Sequence, residues 1–250
     1  MSDWLVGLPA ESNSYAPNDP SGASFTNLSR VIYGYDETTP TAQVPAGGLS
    51  NHDSANFGTG FTARGNLTSL TKWDTVNTAS AITTTTKYNT TGLPIEQSLP
   101  DNNLTSRKTL ISYTDAFSDD GAINNTCAYP TTVTDPEGKT ATLKYRYDIG
   151  AVTRTQDPKM IADDATKGIV STYDAVGRLR RVDNQFSTAY TRYTYDKSFA
   201  WANTFTKADV AGNELYGAAI FDGHGRVRAN LSAHPGSIGG LRSQIGRAHV

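Results

Sequence analysis

The amino-acid sequence predicts an all-β fold built of tandem antiparallel β-hairpins, and three observations carry that reading. The first is composition. Charged residues make up 18% and hydrophobic ones 37%, so the polarity comes from Thr, Ser, Asn and Gly. Thr and Tyr suit a half-solvated pleated surface, and the run Thr83-Thr84-Thr85-Thr86 shows the bias. The second is a phrase that recurs along the chain with a turn at its centre. The third is an alternation of period two between the turns, the signature of strands with one apolar face.

The phrase is an aromatic residue, usually Asp, two variable positions, Gly, a basic or polar residue and an apolar one. It is clearest at Tyr173-Asp174-Ala-Val-Gly177-Arg178-Leu179 and Phe221-Asp222-Gly-His-Gly225-Arg226-Val227. Degenerate copies are Phe61-Thr-Ala-Arg-Gly65-Asn-Leu67 and Tyr88-Asn-Thr-Thr-Gly92-Leu-Pro94. Tyr147-Asp148-Ile-Gly150-Ala-Val152 is the phrase with one residue deleted, while Tyr195-Asp196 and Tyr113-Thr-Asp115 keep only the aromatic and the acid. Tyr33-Gly-Tyr-Asp36 is a candidate for an earlier copy. The chemistry suits a hairpin: Asp bonds its own backbone two residues on, and Gly supplies the positive φ that closes the reversal.

A second turn signal falls between the copies, at Asp135-Pro-Glu-Gly138, Asp157-Pro158, Asp183-Asn184 and Asp209-Val-Ala-Gly212. A repeat of about two dozen residues with two turns leaves room for two strands. Between turns, Ala141, Leu143, Tyr145 and Tyr147 share one face, Val227, Ala229 and Leu231 another, and Thr191, Tyr193 and Tyr195 a third. A lone hairpin is marginal in water, but a row of them stacks aromatic residues from repeat to repeat. Tyr88, Tyr147, Tyr173, Tyr195 and Phe221 are expected to line a buried face, with Gly92, Gly177 and Gly225 making the turns.

The expected organisation is an irregular lead-in over 1–28, degenerate repeats over 29–86 and clear repeats over 87–244. Ile245-Gly-Arg-Ala-His-Val250 reads as a translated sequencing adapter, a foreign tail. The chain is accordingly expected to be cut at both ends, with the next aromatic-Asp pair due where that tail begins.

Other functions are not written here. Lys+Arg 22 against Asp+Glu 24 leaves no basic stripe for a nucleic acid. No apolar stretch is long enough for membrane insertion as a helix. A single cysteine, Cys127, gives neither a disulfide framework nor a thiolate zinc site. His52, His224, His234 and His249 are scattered, so no metal is expected, and Asp115-x-x-x-Asp119-Asp-Gly121 lacks the spacing of a calcium loop. Gly58-Thr-Gly-Phe-Thr-Ala63 follows no buried strand, which removes a dinucleotide cofactor. The carboxylates Asp148, Asp174, Asp196 and Asp222 are explained by their turns, so no catalytic residue is expected and the chain is read as not an enzyme. The sequons at Asn27, Asn66 and Asn230 follow from composition.

Tyr173-Asp-Ala-Val-Gly-Arg-Leu179, followed by an Asp turn and Tyr193-Thr-Tyr-Asp196, resembles the YD repeat of the RHS family. The resemblance is tightest over 139–231 and looser over 30–113. It extends to Arg64-Gly-Asn-Leu-Thr68 and to Ala128-Tyr-Pro-Thr-Thr-Val-Thr-Asp135. It implies one long curved sheet spiralling into a cocoon-like shell, in large, usually bacterial proteins that are secreted or held at the cell surface. In many members the shell encloses a C-terminal toxin, and a conserved core after the repeats cleaves itself; related repeats form the barrels of teneurin adhesion receptors. That core and any toxin are absent from these residues, so neither activity carries over. The implied role is encapsulation, with neighbouring repeats and an enclosed payload as partners. The alternative is an adhesion module whose aromatic-rich sheet binds carbohydrate or another cell's surface.

Overall fold

The computed structural model describes residues 7–39, 49–74, 81–100, 107–116, 125–196, 200–234 and 237–244. It is all-β and divides after Thr142 into two compact units. In each, the strands are hydrogen-bonded in chain order and antiparallel.

The first unit carries β1 (Glu11–Pro17), β2 (Phe25–Tyr35), β3 (Leu67–Asp74), β4 (Ala81–Tyr88), β5 (Pro94–Ser98), β6 (Lys108–Ser112), β7 (Thr132–Thr134) and the start of β8 (Thr140–Arg146). Hydroxyl pairs bridge neighbouring strands, Thr71 to Thr83 at 2.9 Å and Thr134 to Thr140 at 3.0 Å. These are the cross-strand contacts that make a Thr-rich exposed sheet stable. Glu96 on β5 takes Lys87 at 3.1 Å and Lys108 at 3.0 Å.

The second unit runs through β9 (Ala151–Gln156), helix α1 (Pro158–Asp164), β10 (Ile169–Tyr173), β11 (Leu179–Asn184), β12 (Tyr190–Tyr195), β13 (Trp201–Lys207), β14 (Glu214–Phe221), β15 (Val227–His234) and β16 (Ser237–Gln244). Because successive strands reverse, alternate turns fall at the same end of the strands. The aromatic-Asp turns occupy one end and the second turn signals the other.

Two expectations are corrected. The lead-in expected over 1–28 is not irregular from Glu11 on, because β1 pairs with β2 from Glu11↔Ile32 to Pro17↔Phe25. The turn between them is Asp19-Pro-Ser-Gly22, the same Asp-Pro-x-Gly signature as at Asp135: the Gly22 N–H donates to the Asp19 carbonyl at 3.1 Å and Gly22 holds φ 65°. Asp157-Pro158 opens a helix rather than a tight turn. Asp157 caps it by accepting from the Met160 N–H at 2.7 Å, and Pro158 enters where its missing N–H costs nothing. The tail at 245–250, His249 and residues 117–124 lie outside the described residues.

Burial is thin. Among the described residues the buried apolar side chains are Tyr113, Cys127, Tyr145, Ala218 and Ala229, while Leu28 and Leu215 are each 57% exposed. Most strand residues on either face are half-buried. Stability must therefore come from contacts along each row of strands.

Candidate functional site

The feature built most often in this chain is the capped hairpin turn. In the turn at Asp174, its N–H donates to the Arg178 carbonyl at 2.9 Å and the Gly177 N–H donates back to the Asp174 carbonyl at 3.1 Å. The Asp174 carboxylate accepts from the N–H groups of Val176 at 3.1 Å and Arg178 at 2.9 Å. Its second oxygen takes Arg178 Nε at 2.7 Å. Asp222, Gly225 and Arg226 repeat the arrangement, with the guanidinium at 2.9 Å. Asn89 does so with Gly92, its amide oxygen accepting from Thr91 and Leu93 N–H, each at 3.0 Å. Gly92 and Gly177 have φ 81° and Gly225 75°, in the left-handed region that Gly enters without strain.

The electrostatics follow from these bonds. The Arg226 N–H, then the His224 N–H and the Arg226 guanidinium, bring the Asp222 carboxyl down from 3.8 to about 2, partial desolvation opposing them. At Asp174 desolvation is the largest single influence and raises the value. The N–H and guanidinium of Arg178 together with the Val176 N–H outweigh it, so the carboxyl is lowered overall.

In three copies of the phrase the aromatic residue stands where the strand register shifts. Tyr88 faces Pro94, Tyr173 faces Leu179 and Phe221 faces Val227, each immediately after a bulge. A bulge takes main-chain groups out of the regular ladder, and the next repeat supplies a partner. Tyr88 Oη donates to the Leu67 carbonyl at 2.9 Å, and Tyr113 Oη to the Pro94 carbonyl at 3.1 Å. In the second unit Tyr173 Oη donates to the Val152 carbonyl at 2.8 Å, and Tyr195 Oη to the Leu179 carbonyl at 2.7 Å. Every acceptor lies two residues beyond a turn glycine: Gly65, Gly92, Gly150 or Gly177. At Leu67, Pro94 and Leu179 the result is a relay, in which the residue facing one tyrosine at its bulge accepts from the tyrosine of the next repeat. Burial raises the hydroxyl pKa of Tyr88, Tyr113 and Tyr195. Phe221 has no hydroxyl and takes no part as a donor.

Some positions read from the sequence stand elsewhere. Phe61 is not the aromatic of the turn at Gly65, because Tyr35 faces Leu67 across a bulge and holds that place. Phe61 instead stacks edge-on against Phe57, ring centres 5.3 Å apart, beneath the Arg64 guanidinium. Tyr147 does not line a buried face: it is 39% exposed, and Tyr145 is the buried tyrosine at 5%. The missing residue in that copy moves the turn back by one, so Gly150 N–H donates weakly, at 3.4 Å, to the Tyr147 carbonyl, where other turns use an Asp or Asn carbonyl. Asp148 is thereby released to pair with Arg146 at 2.8 Å. Asp196 opens a wider turn, its N–H donating to the Trp201 carbonyl at 3.2 Å and its carboxylate accepting from the Ala200 N–H at 3.3 Å. Tyr88, Tyr173, Tyr195 and Phe221 are half-buried rather than enclosed.

Two arginines that the phrase does not single out link consecutive turns. Arg64 Nη1 donates to the Thr90 carbonyl at 2.7 Å, and Arg146 Nη1 to the Asp174 carbonyl at 3.0 Å. On β11 to β14 the aromatic faces carry guanidinium groups, Arg181 lying 4.0 Å from the Tyr190 ring and Arg192 3.7 Å from Phe205. Glu214 closes this ladder, taking Arg192 at 2.6 Å and Tyr190 Oη at 2.8 Å. The Arg192 bonds first, then the Tyr190 hydroxyl, bring the Glu214 carboxyl down to about 2. Among the described residues no group of three or more His, Cys, Asp or Glu could hold a metal ion, and no helix is long and apolar enough to cross a membrane.

No family model matches the sequence, and no curated protein matches it. Among solved structures the chain is similar to a crystal structure of TcdB2-TccC3, with a TM-score of 0.38 and 10% sequence identity. The match covers 94% of this chain and 15% of that one, so this chain spans a small part of its length.

Proposed function

We propose that the chain is a wall segment of a secreted or cell-surface RHS/YD-repeat shell whose full-length protein encloses a C-terminal, toxin-like payload. The role is structural, needing neither cofactor nor catalytic residue, and the partners are neighbouring repeats and the payload. The observation that carries the reading is the tyrosine relay. A repeat that leaves a carbonyl for the next one to satisfy completes its hydrogen bonds only in a row, and such a row extends in one dimension as a wall does. The half-buried faces also suit a sheet that encloses space rather than one folded onto its own core. Guanidinium groups over Tyr190 and Phe205 weigh against those rings stacking on sugar, the adhesion alternative.

The test is limited proteolysis of the full-length gene product. The segment after the repeats should resist cleavage until the relay is broken by combined Tyr→Phe changes, and then be cut. A segment cut freely from the start would overturn encapsulation. Saturable binding on a glycan array, lost on Tyr216→Ala, would favour adhesion instead.

A further inference from the structure

Tyr35 and Asp36 are separated from Gly65 by a long stretch of chain, yet the three close one turn. Tyr35 faces Leu67 across a bulge, as Tyr173 faces Leu179. The Asp36 N–H donates to the Asn66 carbonyl at 2.9 Å, the counterpart of the Asp174 bond to Arg178. The Asp36 carboxylate accepts three N–H groups, from Arg64 at 2.8 Å, Gly65 at 2.7 Å and Asn66 at 3.0 Å. Gly65 holds φ 74°. We infer that residues 37–62 are an insert carried within an otherwise complete repeat, and that the turn between its acid and its glycine is a port where the fold accepts extra chain. Removing them in thought leaves Tyr35-Asp36-Ala63-Arg64-Gly65-Asn66-Leu67, which is the repeat phrase without a gap.

The physical reason is that the carboxylate, not chain continuity, closes this turn. A side chain that gathers three N–H donors fixes both ends of the break wherever the chain between them travels. Asp36 adapts through its backbone, with φ 53°, whereas Asp174 and Asp222 have no positive φ; Asp tolerates that region better than most residues. The insert's described end returns over the next turn. Arg64 donates to the carbonyls of Phe61 at 2.7 Å, Phe57 at 2.5 Å, Gly58 at 2.9 Å and Thr90 at 2.7 Å. Ser50 N–H reaches the Asn125 carbonyl at 2.9 Å. Asn89 and Thr90 are 0% and 3% exposed there, whereas their counterparts in the later turn, Asp222 and Gly223, are half-buried and exposed. The port thus adds a cover to one end of the strands without altering their pairing.

Two variants of the full chain test this by amide hydrogen exchange. In the first, residues 37–62 are deleted and Asp36 is joined to Ala63. Protection of β2 to β4 should persist, with protection lost at Thr90 and Thr91, whose cover is gone. In the second, a protease site replaces Thr59-Gly60 and is cut under native conditions. The two fragments should remain associated, with β2 and β3 still protected. Dissociation or loss of β2 and β3 protection after cutting overturns the inference. A deletion variant that unfolds while the cut chain stays protected also overturns it, because the insert would then be part of the fold rather than its cargo.

Discussion

Tyr195 Oη donates to the carbonyl of Leu179, 2.7 Å away and one repeat earlier. Leu179 is the residue that faces Tyr173 at its bulge, so one repeat's irregularity is completed by the next repeat's side chain. Replacing Tyr195 with Phe keeps the ring and removes only that bond. The expected cost is about 1 kcal/mol, the net worth of one intramolecular hydrogen bond, read as a lower urea midpoint at unchanged slope. Tyr15→Phe, at a residue 57% exposed, is the control and should fall within about 0.5 kcal/mol of the parent.

Gly177→Val should cost about 1–3 kcal/mol, because a β-branched residue is strained at φ 81°. A Cβ there would also stand 3.2 Å from Ile149 Cγ2. Gly223→Ala meets open space with no positive φ and should be near neutral. Equal melting curves for the two variants would remove Gly177 from the turn-making role.

Stability should fall in acid over a defined window. Asp222 is held down from 3.8 to about 2 by the Arg226 N–H and its companions. A carboxyl depressed in the folded state stabilises above its unfolded value, and that contribution is lost as pH falls through the folded one. The melting temperature should therefore drop between pH 3.8 and about 2. Asp222→Asn, which keeps an acceptor oxygen and removes the charge, should shrink the drop. Tyr88, Tyr113 and Tyr195 have the opposite sign: raised above 10.0 by burial, they stabilise fully below that value, and the contribution is lost as pH climbs through the raised folded one. A flat profile in acid would contradict the bonds to Asp222, and a flat profile in alkali would contradict the burial of the tyrosine hydroxyls.

Among the described residues β1 is paired only with β2, and β16 only with β15. Unpaired strand edges recruit other chains. Size-exclusion chromatography should show association that grows with concentration, whereas a clean monomer over a wide range would mean that these edges are protected.

The sequence made the intact turns legible because their chemistry is local. Asp174 and Gly177 lie within one phrase, and their bonds close inside it. What escaped was non-local or shifted. Asp36 finds Arg64, Gly65 and Asn66 only after folding, and no window of one repeat's length contains both halves. The deletion near Tyr147 preserves the look of the phrase but moves the turn by one residue, exposing Tyr147 and burying Tyr145. Asp19-Pro-Ser-Gly22 carried a usable signal, the same four-residue turn as at Asp135. Asp157 shows the limit of such signals, since an Asp that bonds nearby N–H groups caps a helix as readily as a turn. The tyrosine relay was hidden for a different reason: the recurrence of the aromatic was legible, but which carbonyl each hydroxyl meets depends on the bulge register.

The most direct test of the central claim is a cryo-electron microscopy map of the full-length gene product. The expected result is a hollow shell in which these strands form part of a wall one sheet thick, with Tyr173 and Tyr195 hydroxyls on the Val152 and Leu179 carbonyls. A solid two-layered sandwich, or tyrosines turned away from those carbonyls, would contradict it.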